Sequence, residues 1–396
     1  MRTIFTVLGL VFLPLLSVAE TQYSQTAGVE YQSFRHDGLY SEQHRGYFSA
    51  FIEPKGYHSW NGDLDSITFE LFYRWDQHDS ERSHLDIREL MWLHVGDDWE
   101  LRTGIGSVFW GKTESQHLVD VINQTDSVEA INGEDKLGQA MVNLALLRGW
   151  GTLELFVLPG FRERTFPGQE GRLRTLWAVD TGGAVHQSSA AQNHVDWAVR
   201  WARTQGDWDL GLSYFDGTAR DPALQPVALG GEQRLRPYYA QIKQLGVDVL
   251  AATGAWLLKF EGIYRYTHDE NSYLALTSGF EYTSVGVFDS IWDIGWLVEY
   301  QYDERDEKAT TPAQNDLMLG SRLVFNDVNG AEILIALVQD LDYSDSRSVF
   351  VEASSRINDN WKWRLDAWFF SSDTQFEPVY VLRRDDFLQL SLDYYF

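Results

Sequence analysis

The stretch SITFELFYRWD, residues 66–76, decides the fold. Ile67, Phe69, Leu71, Tyr73 and Trp75 alternate with Thr68, Glu70, Phe72, Arg74 and Asp76. Successive side chains of a strand point to opposite faces, so a period of two fits a strand and no helix. The same rhythm returns in ELRTGIGSVF (100–109), DLGLSYF (209–215), AWLLKFEGIYRY (255–266), WDIGWLVEYQY (292–302), DLMLGSRLVF (316–325), AEILIALVQDL (331–341) and WKWRLDAWFF (361–370). It continues to the last residue in FLQLSLDYYF (387–396). Amphipathic strands about ten residues long, chained end to end, are the signature of a transmembrane β-barrel.

The connections carry a second pattern. Tight polar turns fall at 96–98, 149–151, 204–207, 327–330 and 358–360, and four of them lead into a tryptophan: Trp99, Trp150, Trp208 and Trp361. Repeated aromatics at strand starts match the girdle at one membrane interface. Between the turns lie long polar segments at 110–139, 160–194, 216–235, 303–314 and 372–386. Short turns at one end and long loops at the other, with both chain ends on the short-turn side, predict an all-β, antiparallel up-and-down barrel of about 18 strands, or 16 if weak segments drop out. A soluble propeller or sandwich would bury the apolar face against another sheet. Here that face carries Leu, Ile and Val flanked by Trp, Tyr and Phe, which lipid suits better, and closure leaves no backbone edge unpaired in the bilayer.

The ends of the chain supply the compartment. MRTIFTVLGLVFLPLLSVAE, residues 1–20, has one positive charge at Arg2, an apolar run from Ile4 to Leu16 and the small residues Ser17 and Ala19. It reads as a signal peptide, 1–19, cut after Ala19, ahead of a single barrel domain, 20–396. A membrane anchor needs about 20 apolar residues, and Pro14 interrupts this shorter run. The chain has no cysteine, so lipidation, disulfides and thiolate metal sites are excluded. After cleavage 31 basic residues face 58 acidic ones, a net charge of −27, which argues against nucleic acid as a partner.

In FLQLSLDYYF, Phe396 is preceded at every second position by Tyr394, Leu392, Leu390 and Leu388. This segment resembles the C-terminal strand of Gram-negative outer-membrane proteins, which implies an assembly signal read by the barrel-assembly machinery. In LRTGIGSVFWGK, the residues Leu101, Arg102, Gly104, Trp110 and Gly111 resemble porin-like barrels, including the alginate-export type, where such a strand runs into a lumenal loop. Lys112 stands where those proteins often carry an acidic residue. The resemblance implies a channel and leaves its solute open.

The segment 108–139 interrupts the strand rhythm with Lys112, Glu114, His117, Asp120, Asn123 and Asp126, a candidate constriction loop. Leu118, Val119 and Ile122 fall at helical spacing, which predicts a short helix against the inner wall. Inside the lumen these groups would narrow the pore and set its field; outside they would be a solvated acidic loop. His117 lies near Ser115 and Asp120, yet a hydrolase needs a nucleophile bonded to its base in space, and neither G-x-S-x-G nor H-E-x-x-H occurs.

Alternation assigns Glu70, Arg74, Arg88, Glu100, Arg102, Arg200, Lys259, Glu261, Arg265, Glu299, Arg322, Arg364 and Asp366 to the lumen, together with Arg45 and Lys243. The expected protein is a porin-like channel of the bacterial outer membrane passing a small polar solute or an exported polymer. A non-conducting structural or adhesion barrel is the alternative, and an outer-membrane hydrolase a weaker one; no enzyme activity, catalytic residue, metal or cofactor is expected. Outer-membrane lipid, lipopolysaccharide, the barrel-assembly machinery and an unidentified polar solute are the expected partners, with the oligomeric state open.

Overall fold

The computed structural model describes residues 20–267, 271–311, 313–375 and 377–396. The signal-peptide assignment, 1–19, lies outside the described residues. In chain order the strands are β1 (Glu20–Phe34), β2 (Gly46–Trp60), β3 (Asp65–Asp76), β4 (Leu85–Val95), β5 (Trp99–Gly106), β6 (Gln139–Arg148), β7 (Gly151–Pro159), β8 (Val185–His186), β9 (Val195–Gln205), β10 (Trp208–Thr218) and β11 (Ala223–Leu229). They continue as β12 (Glu232–Tyr239), β13 (Gln241–Thr253), β14 (Trp256–Thr267), β15 (Tyr273–Ser284), β16 (Asp293–Asp303), β17 (Asn315–Val324), β18 (Glu332–Asp340), β19 (Arg347–Arg356), β20 (Trp361–Ser371) and β21 (Phe387–Tyr395). One short helix, α1 (Pro378–Leu382), precedes the last strand.

All but β8, β11 and β12 join one 18-stranded antiparallel sheet. Each barrel strand pairs with its barrel neighbours along the chain, and β21 closes the ring on β1 over Thr26–Phe34. No sheet edge is left for lipid to cover. Connections 61–64, 96–98, 149–150, 206–207, 254–255 and 357–360 lie at one end with Glu20 and Phe396, and the long connections 35–45, 107–138, 160–194, 219–240 and 372–386 lie at the other. The two-residue hairpins at 206–207 and 254–255 open on Gly206 and Gly254, both at φ +60, the left-handed backbone that such tight turns need and a side chain would strain.

The period of two is realised as inside and outside. Along β3, Ile67, Leu71, Tyr73 and Trp75 are exposed while Phe72, Arg74 and Asp76 are buried. Along β10, Trp208 and Leu212 face out and Ser213 and Phe215 face in. Each exposed Leu, Ile or Phe would forgo about 1.5–3 kcal/mol in water. Around the whole outer surface that is untenable for a soluble protein, and natural against acyl chains. Trp99, Trp208, Trp256 and Trp361 each start a strand at the short-turn end, forming the girdle there.

Four expectations need correction. The segment 216–235 is not simply a polar loop: β11 and β12 pair as a hairpin, and β8 joins β12 in a separate small sheet. Lys243 faces outward, 3.6 Å from Asp216 at the loop end of the wall, because Gln244 and Ile242 take the inward positions of β13. Arg45 sits in a connection, bonded to exposed Asp37. Alternation also fails across β4, where Glu70 pairs with Glu89 but Leu71 pairs with Ile87. Arg88 is the extra residue of this bulge, so Asp86 and Met91, an odd number of residues apart, both face inward. Bulges re-aim side chains, and this one delivers Arg88 to the lumen.

Candidate functional site

The connection between β5 and β6, residues 107–138, turns into the barrel. Asn123 clamps its two ends: the side-chain oxygen accepts from the Val108 N–H at 2.9 Å, and the amide nitrogen donates to the carbonyls of Gly106 and Leu137, both at 2.9 Å. Val119, Val121 and Ile122 then pack on Phe156, Leu158, Phe215, Ile242 and Ile263, an apolar patch of the inner wall. Hydrophobic inward residues on β7, β10, β13 and β14 would be misplaced in a purely aqueous lumen. They are the dry seat of this loop.

The expected short helix around 118–122 is absent, and the wall supplies the reason. Glu261 of β14 accepts from the backbone N–H groups of Lys112 at 2.7 Å, Thr113 at 3.1 Å and Val119 at 3.2 Å, and from the Thr113 hydroxyl at 2.9 Å. Glu299 of β16 accepts from the N–H groups of Glu114 and Ser115, both at 2.8 Å, and from the Ser115 hydroxyl at 2.6 Å. Of the amides in the expected helix Val119 is held by Glu261, and the backbone just before it, Lys112 to Ser115, is pinned by the two buried carboxylates. Hydrogen bonds to a charged acceptor contribute about 1.5–3 kcal/mol each, more than the weak helical preference of so short a segment.

The far half of the loop is latched by charge. Asp126 is fully buried and accepts from Arg88 at 2.7 Å and from the Thr165 hydroxyl at 2.7 Å, with His84 at 3.1 Å. Burial alone would raise this carboxyl, but the His84 bond and the Arg88 charge outweigh it and hold it at about 2. Glu129 pairs with Arg74 at 2.7 Å, and Arg88 also donates to the Lys136 carbonyl at 2.6 Å. Asp120 lies 3.3 Å from Lys136; burial pushes its carboxyl up against that pull. Glu114 reaches Arg322 at 2.6 Å and Lys259 at 3.7 Å.

A second connection, 160–194, reaches from β7 toward the closing seam of the barrel. Arg172 is buried there, 2.6 Å from Asp385, and donates to the carbonyls of Arg384, His36 and His44. Its guanidinium stacks over Phe34 at 4.3 Å. This strap and the inward loop together line a lumenal cavity of about 990 Å³.

The candidate loop residues therefore meet the wall at separate points. Lys112 contributes its backbone N–H, and His117 stands 3.9 Å from Glu261. Ser115 and His117 form no nucleophile–base couple, since the Ser115 hydroxyl is taken by Glu299. Among the lumenal residues, Arg74, Arg88, Lys259, Glu261, Glu299 and Arg322 hold the loop. Glu70, Glu100, Arg102, Arg200 and Arg364 instead pair within the wall, with Lys55, with each other, with Asp248 and with Asp393 respectively. Arg265 bonds Gln244 at 2.7 Å, and Asp366 lies in register with Glu352 across β19 and β20. Sequence reasoning missed His84, Arg82, Thr165 and Arg172 as tethers. Arg82 is buried between Glu30 and Asp76, in a connection with no periodicity to read.

No protein-family model and no curated protein matches the chain. Solved structures with similar folds include an engineered variant of the Rh. blastica porin, at 9% identity and TM-score 0.47, covering 95% of this chain and 100% of that one. Another is OmpT of Vibrio cholerae, an outer membrane protein in its trimer form, at 8% identity and TM-score 0.47, covering 96% of this chain and 99% of that one. The barrel itself is established by its strand pairing.

Proposed function

We propose that this protein is a porin-like channel of the bacterial outer membrane, passing small polar solutes through a lumen that the loop 107–138 narrows. The observation that carries this reading is the inward loop: its fastening to β3, β4, β14, β16 and β17 narrows one side and leaves a cavity lined by charged groups. An 18-stranded barrel is too wide for wall side chains alone to fill. A long polymer suits the lumen less well than a small solute, because the strap and the loop both intrude. Lipid and lipopolysaccharide contact the apolar belt.

Glu352 and Asp366 face this cavity as direct neighbours, while Arg364 is bonded to Asp393. Neighbouring carboxylates with no ion pair among the described residues repel each other, so both carry charge only in alkaline solution, and there they give the pathway a local negative field. In a planar bilayer at low salt and about pH 9, where both carboxylates are charged, the protein is expected to give ohmic steps with a preference for cations. Glu352→Gln with Asp366→Asn is expected to reduce that preference severalfold, and the difference shrinks toward 1 M salt, where screening falls to roughly 3 Å. Correctly folded protein that gives no steps is a closed scaffold, and the channel reading then fails.

The terminal Leu388, Leu390, Leu392, Tyr394 and Phe396 act as the assembly signal. Leu388, Leu390 and Phe396 are exposed, and Phe396 exchanges backbone hydrogen bonds with Gln25 at 2.8 and 3.0 Å. Deleting Phe396 removes these bonds, about 1 kcal/mol each, and one exposed ring contact with Tyr394. Refolding in detergent is therefore expected to proceed near the normal yield while outer-membrane assembly in cells drops severalfold. Equal losses in both assays would make Phe396 a seam residue and no signal.

A further inference from the structure

The connections 35–45 and 77–84 meet the strap 160–194 at the long-loop end of the barrel. His44, His78 and Glu170 come together there, their ligand atoms all within 4.8 Å of one another. The two imidazoles face each other, ring centroids 3.7 Å apart and planes 17° from parallel. Each group is carried on backbone that is already tied. Gln43 donates to the Gly171 carbonyl at 2.7 Å, and Asp79 accepts from the Gly168 N–H at 3.1 Å. The Tyr47 hydroxyl donates to the Glu170 carbonyl at 2.5 Å and accepts from the His44 N–H at 2.9 Å. The His78 N–H donates to Asp76 at 3.0 Å.

We propose that His44, His78 and Glu170 bind a divalent transition-metal ion, zinc by preference, which staples the strap to two neighbouring connections over the barrel mouth. Two imidazole nitrogens and one carboxylate are a zinc donor set, with water in the fourth position. Imidazoles favour zinc, copper or nickel over calcium and magnesium. Zinc takes nitrogen at about 2.0–2.1 Å, so the rings must present both lone pairs to one point. Nearly parallel rings do not yet do so. The required motion is a turn of one imidazole about its Cβ–Cγ bond, a broad, soft torsion. His44 and Glu170 are exposed, so an ion reaches them from solution. A second grouping, His84 with Asp126 and Glu129, falls within the same distances. There Arg88 and Arg74 already occupy the carboxylate oxygens, and a metal ion would have to displace two buried guanidinium groups.

The folded barrel in detergent is to be titrated with zinc by calorimetry and with cobalt by visible absorption, neither of which depends on the channel reading. One ion per chain is expected, with the strong absorption of four-coordinate cobalt. His44→Ala and His78→Ala are each expected to weaken binding at least tenfold, and Glu170→Gln severalfold. His58→Ala, near the opposite end of the barrel, is expected to leave it unchanged. Zinc is also expected to slow proteolysis within 160–194 in the wild-type protein and not in His78→Ala. Absence of saturable binding, or binding that survives both histidine substitutions, overturns the proposal.

Discussion

A barrel carrying Glu261→Ala together with Glu299→Ala is expected to lose the seating of its inward loop and to pass a noisier current than the wild type. Seven donors of residues 112–119 end on these two carboxylates. Each such bond contributes about 1.5–3 kcal/mol, so the loss of even two shifts the seated fraction on the order of a hundredfold. The amides of Lys112, Thr113, Glu114 and Ser115 are expected to lose hydrogen-exchange protection by at least about that factor. The barrel itself survives, because its strands pair through backbone and Lys259 keeps Glu281 of the wall as a neighbour. Glu70→Ala is the control: a lumenal carboxylate bonded to Lys55 and touching no loop atom. Unchanged protection in the double variant would mean that the two carboxylates are dispensable and that the apolar seat, the Asn123 clamp and the ion pairs of Glu114, Asp126 and Glu129 hold the loop. Changed protection with steady current would separate the seating of the loop from its part in conduction.

How much of this was legible in the sequence depends on the range of the interaction. Alternation in 66–76 is a local property, and it correctly separates Leu71, Tyr73 and Trp75 from Arg74 and Asp76. The asymmetry of turns and loops is equally local, and it leads to the strand number. What the sequence hides is partnership. Thr113 and Glu261 lie 148 residues apart, and nothing in AWLLKFEGIYRY marks its glutamate as an acceptor for loop amides among other lumenal charges. Helical spacing at Leu118, Val119 and Ile122 is genuine, but it reports a common apolar contact and not a helix, since the wall pins the backbone from Lys112 to Ser115 and at Val119. The β4 bulge likewise inverts the pattern between Asp86 and Met91 without any glycine or proline to announce it. His44, His78 and Glu170 are scattered singles in the chain and neighbours only once three connections converge.

Asp126→Asn is expected to open the latch half of the loop at neutral pH, and acid is expected to do the same to the wild type. Asp126 is fully buried with its oxygens taken by Arg88, Thr165 and His84, so it offers no field to a passing ion and acts as a fastening. Its carboxyl falls from an ordinary 3.8 to about 2 on folding. A depressed carboxyl contributes stability that is present above 3.8 and lost as pH falls through about 2, here about 2 kcal/mol. For His84, burial opposes protonation, but the Asp126 bond raises it above the ordinary 6.5. Its contribution is complete below 6.5 and lost as pH rises through the raised value. The latch is therefore tightest between roughly 4 and 6.5, loosening on both sides. The amides of Asp126 and Glu129 report it: Asp126→Asn should raise their exchange at pH 5 on the order of tenfold to a hundredfold, leaving Arg88 with Asp86 at 3.2 Å as its paired carboxylate and the Lys136 carbonyl at 2.6 Å. Thr165→Ala, which removes one uncharged donor, should raise it by less than about tenfold. If Asp126→Asn exchanges like the wild type at pH 5, the Asp126 ion pair does not hold the loop, and Asn123, the Glu129–Arg74 pair and the apolar seat suffice without it.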